Sequence, residues 1–79
     1  MKLTSGERAL CEEALALPAN HDDQGCPSHR LYASIRKLQD TEPDSKVVDE
    51  LWRQSYDDGR SCPMYSIHWA AEKFLKEDK

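Results

Sequence analysis

Long apolar runs are missing from this chain. None of its 79 residues falls in a stretch approaching 18 apolar positions, which excludes a membrane-spanning helix. Large aliphatic side chains are scarce as well. Only 13 residues are Leu, Ile, Val or Phe, below the roughly 20% level at which packing into a core becomes doubtful. The companion mark of disorder, a high net charge, is absent: Lys and Arg number 11 against 15 Asp and Glu, leaving −4. The aromatics (two Trp, three Tyr, one Phe) are enough to seed a core. A chain this short is one domain, 1–79. It buries only about 60% of its unfolded surface, so a thin core leans on a partner, a second copy or a metal.

Catalytic signatures are missing too. There is no Gly-x-Ser-x-Gly, no glycine-rich loop ending in Lys-Ser or Lys-Thr, and no His-Glu-x-x-His. Acids come in adjacent pairs, Glu12-Glu13, Asp22-Asp23, Asp49-Glu50 and Asp57-Asp58. Neighbours in a helix point in different directions, so these pairs read as solvated faces rather than as an acid–base dyad. The reading is of a protein that is not an enzyme and needs no cofactor. Met1-Lys2-Leu3 leads straight into a polar helix start with no apolar leader, which predicts a cytoplasmic protein. The acidic balance argues against one that lives on a DNA backbone.

What the chain does have is helical periodicity, in four segments. Thr4-Ser5-Gly6-Glu7 has capping-box spacing, followed by a stripe of Leu3, Leu10, Ala14 and Leu17 that Pro18 stops. After a polar loop over 19–25, Cys26-Pro27-Ser28 opens a second helix with Leu31, Ile35 and Leu38 inward and Tyr32 on the flank. An acidic link, Thr41-Glu42-Pro43-Asp44, leads to a third with Val47, Val48, Leu51 and Ser55 inward, ending near Gly59. Cys62-Pro63 opens a fourth, with Met64, Ile67, Ala71, Phe74 and Leu75 inward and a charged tail from Lys76 to Lys79. The predicted fold is all-α, a compact single domain of four short helices. A weak repeat with a 36-residue offset aligns Leu31 with Ile67, Ile35 with Ala71, Cys11 with Val47 and Leu15 with Leu51. Two similar helical hairpins would produce it.

The aromatic residues carry the functional signal. At 100° per residue Trp69 falls off the inward stripe of the fourth helix, among Tyr65, Lys73 and Lys76. Trp52 and Tyr56 fall at the margin of the third, where contacting a partner competes with widening a thin core. Trp and Tyr are enriched in interface hot spots, and lysines around them make a polar rim. The expected function is a non-catalytic cytosolic binding or regulatory protein. It docks on a larger protein or complex with Trp69 and Tyr65 as anchors, Lys73 and Lys76 as rim, and Trp52 and Tyr56 as secondary contacts. The same face would also serve a homodimer.

Two other readings compete. Cys26, His29 and Cys62, with His68 as a further ligand, would serve a metal- or thiol-dependent domain. Their spacing lacks the two tight pairs of a zinc site, and His68 on the inward stripe reads as a partly buried structural histidine. Arg30, Arg36 and Lys37, with no acid between 28 and 39, would serve a nucleic-acid-binding domain. In size, acidity and lack of catalytic motifs the chain resembles accessory inhibitors carried by mobile elements, such as anti-restriction proteins. The resemblance covers no motif and transfers no residue; it implies an inhibitor of a larger complex.

Overall fold

The computed structural model describes residues 2–18, 27–58 and 65–78, apart from the side chains at 28 and 56–58. Four helices follow one another: α1 (Ser5–Ala16), α2 (Pro27–Thr41), α3 (Lys46–Asp58) and α4 (Tyr65–Glu77). The fold is all-α, as the periodicity predicts, and among the described residues there is no strand. Gly59, Cys62, Pro63 and Met64, expected at the end of α3 and the start of α4, lie outside the described residues.

Local chemistry sets the ends. The Glu7 N–H donates to Thr4 Oγ1 at 3.1 Å, and the Thr4 N–H donates to Glu7 Oε1 at 2.9 Å. Two amides left over at the start of α1 are thereby satisfied reciprocally. The chain leaves α1 at Leu17, whose extended backbone suits the residue before Pro18. Ser45 caps α3 by accepting the Val48 N–H on its Oγ at 3.1 Å, and that Oγ also donates to Glu7. One serine thus starts α3 and ties it to the first turn of α1.

The helices close into a ring. α4 packs extensively on both α3 and α1, and α2 packs on α3, while the α1–α2 seam is thinner. Beside Leu10 and Ile67, the buried positions of α1 and α4 are small: Cys11, Ala14, Ala70 and Ala71. Small side chains let helix axes approach closely, so few large aliphatics are needed to fill the interior. Leu31 and Ile35 of α2, Val47, Val48 and Leu51 of α3, and Ile67 of α4 supply the bulk, all at 2% exposure or less. The repeat is kept between α2 and α4, where Leu31 and Ile67 are both buried, as are Ile35 and Ala71. Between α1 and α3 it holds at Cys11 and Val47, both buried, and lapses at the second pair, where Leu15 is 38% exposed while Leu51 is sealed.

The charged tail does more than run out into solvent. The Leu3 N–H donates to Asp78 Oδ1 at 2.9 Å, and Arg8 pairs with the other carboxylate oxygen. The Asp78 side chain is 7% exposed. Two ends 75 residues apart are thus clasped beside buried Leu3. Periodicity carries no trace of such a contact, because it depends on where α4 ends relative to α1.

Candidate functional site

Helix geometry accounts for the exposure of Trp69. Ile67 is fully buried, and two residues further on the side chain has turned about 200° away from it. Trp69 and Tyr65 are each 63% exposed, one turn apart on the outer face of α4. Lys73, the next residue on that face, holds its ammonium 5.3 Å from the Trp69 ring centroid, within cation–π range. Lys76 is engaged with Glu72 of its own helix at 3.0 Å, and both side chains are exposed.

Trp69 is the shared wall of two shallow hollows. One, of about 320 Å³, lies along α4 between Glu72, Lys73, Lys76 and Glu77. The other, of about 290 Å³, lies in the α3–α4 seam between Lys46, Glu50, Ala70, Lys73 and Phe74. Lys46 and Glu50 were missed by sequence reasoning. Their separation of four residues puts them on one face of α3, but only the packed seam shows that this face meets Trp69. Phe74, expected inward, is half-buried against the core and gives the seam its apolar floor.

Trp52 goes elsewhere. It is half-buried against the core, and its ring centroid lies 4.8 Å from that of Tyr32 on α2, with the planes tilted by 43°. α3 therefore sends Lys46 and Glu50 toward α4 and Trp52 toward α2. The structure brings Tyr65, Trp69, Lys73 and Lys76 together on α4 and separates Trp52 from them. The side chain of Tyr56 lies outside the described residues.

The residues of the competing readings are dispersed or undescribed. Cys26 and Cys62 lie outside the described residues, and His29 is exposed. His68 is half-buried, with Nε2 3.0 Å from the Leu17 carbonyl oxygen, tying α4 to the end of α1. Among the described residues no three His, Cys, Asp or Glu side chains group as metal ligands. Cys11 is sealed in the core, and burial, with Glu7, Glu12 and Asp78 adding to it, pushes its thiol up to about 11. At neutral pH that thiol carries almost no nucleophilic thiolate. Of the α2 cations, Lys37 lines the α1–α2 groove with Glu13, whereas Arg36 leans on Tyr32. Arg36 and Lys37 therefore turn to different seams of the fold, and Arg30 is half-buried.

No described helix is long and apolar enough to cross a membrane. Compared with known protein families, curated proteins and solved structures, the chain matches none. The fold and the face together define a small all-α domain that presents an aromatic, lysine-edged helix to solvent.

Proposed function

We propose that the protein is a small non-catalytic binding protein that docks on a larger protein through the outer face of α4, and that it regulates or inhibits that partner. One observation carries the reading: Trp69 and Tyr65 stand side by side at 63% exposure, well above Leu15 and Tyr32 at 38%, the next most exposed large apolar residues among those described. Leaving two such rings in water forfeits burial that a thin core needs, at about 25 cal/mol per Å². A partner recovers it. Tyr and Trp are suited to this because they offer large contact areas at a small entropy cost. Lys73, lying across Trp69, supplies the charged edge, and the hollows on either side of the ring give a partner's side chains a place to seat.

The test is affinity capture with the tagged full chain from the source cell under reducing conditions, wild type beside Trp69→Ala. The expected result is a stoichiometric partner held by the wild type and released by the variant. Loss of about 2 kcal/mol or more is the signature of a hot spot. A partner retained equally by both proteins refutes the site.

A further inference from the structure

The α2–α3 seam carries a second exposed arrangement, independent of the Trp69 face. The Nη1 of Arg36 donates to the Tyr32 hydroxyl at 3.2 Å, and its guanidinium carbon lies 5.8 Å from the centroid of the Tyr32 ring. Tyr32 is itself 38% exposed and rests on Trp52. A guanidinium has five N–H donors in a planar fork. Tyr32 takes one, and the Nε/Nη2 edge has no hydrogen-bond or ion-pair partner among the described residues. Asp40, one turn on, acts on Arg36 only at a distance, and Asp49 of α3 is taken by Arg53 at 3.3 Å. An arginine propped in place on an aromatic support loses little freedom when it binds, and its free edge matches a carboxylate in two-point geometry.

We propose that this seam is a docking surface for an acidic segment of a partner protein, with a carboxylate taken by Arg36 and the segment's apolar atoms resting on Tyr32 and the edge of Trp52. Charge complementarity selects the occupant. The free edge of Arg36 is a cation with no carboxylate partner among the described residues, Asp49 being held by Arg53, so a carboxylate complements it. Nucleic acid fits less well, because Lys37 lines the α1–α2 groove rather than this seam, and a phosphodiester backbone favours a row of cations.

The test uses the full chain, isotope-labelled, titrated with an acetylated, amidated decapeptide of alternating Glu and Gly. A Gln-Gly peptide and single-stranded oligothymidylate are run beside it. The expected result is that the acidic peptide moves the amides around Tyr32, Arg36 and Trp52, that Arg36→Gln weakens this about tenfold, and that Lys73→Gln and Trp69→Ala leave it unchanged. Equal binding by Arg36→Gln overturns the proposal, as does equal binding of the Gln-Gly peptide. Tighter binding of oligothymidylate at the same amides assigns the seam to nucleic acid and overturns it too. Concentration-dependent shifts there without peptide would assign it to a second copy, with the same consequence. Because the Trp69 variant is a bystander here, failure of this site and failure of the α4 docking face are read separately.

Discussion

Ile67 and Trp69 sit two residues apart on α4 at opposite extremes of burial, 0% and 63% exposed, and truncating each to Ala measures what the helix faces are worth. Ile and Trp have similar helix propensity, and Ala exceeds both by a few tenths of a kcal/mol, so that contribution cancels between the two variants. Ile67→Ala loses the transfer free energy of a buried aliphatic side chain and leaves a cavity, costing about 2–5 kcal/mol. A domain of this length has a total stability of roughly 4–12 kcal/mol. At about 4–8 °C per kcal/mol the melting temperature falls by at least about 8 °C. For Trp69 the covered third of a large ring system, about 90 Å², sets a ceiling of about 2 kcal/mol. Part of that cover is Lys73 of the same helix, a contact that outlasts the loss of tertiary packing wherever α4 stays helical. Trp69→Ala is therefore expected to lower the melting temperature by less than Ile67→Ala does. The assay is thermal melting followed by far-ultraviolet circular dichroism, with urea titration to confirm that the denaturant slope is unchanged. A Trp69→Ala loss equal to or larger than that of Ile67→Ala refutes the assignment of the two faces, and with it the docking surface.

Three further outcomes follow from the packing. A Cβ on Gly6 would lie 2.6 Å from Glu42 Oε2 and 2.9 Å from Leu38 Cδ1, and Glu42 also accepts the Thr4 hydroxyl; Gly6→Ala, worth about 0.5–1 kcal/mol in an open helix, is expected to bring no rise in melting temperature, and a clear rise would show the α1–α2 approach to be looser. The Leu3 N–H, joined by Arg8, holds the Asp78 carboxyl below its ordinary range, so its contribution is present above the unfolded carboxylate pKa of about 4 and lost as pH falls through the folded value. Asp78→Asn should therefore melt below wild type at pH 7 and converge with it in acid, while a gap that stays constant with pH would refute the clasp. With Cys26 and Cys62 replaced by Ser, a thiol raised to about 11 should react with a disulfide reagent at pH 8 at least about a hundredfold more slowly than a free cysteine; ordinary reactivity would place Cys11 outside the core.

Spacing along the chain determined the four helices and which side of each faces inward, because 3.6-residue periodicity and capping are properties of neighbours in sequence. The Thr4–Glu7 box, the stop at Pro18, the buried set Val47, Val48, Leu51 and Ser55, and the outward turn of Trp69 were all legible that way. Tertiary structure decided which outward residues meet. Trp52 and Trp69 looked like parts of one aromatic surface, yet α3 lies between α2 and α4 and sends Trp52 to Tyr32 on one side and Lys46 and Glu50 to Trp69 on the other. Arg36 and Lys37 are adjacent in sequence, but one leans on Tyr32 and the other turns to the α1–α2 groove. The clasp of Asp78 on Leu3 and Arg8 spans nearly the whole chain. A helix fixes the direction of a side chain relative to its own axis, and only the packing of one axis against another fixes what that side chain touches.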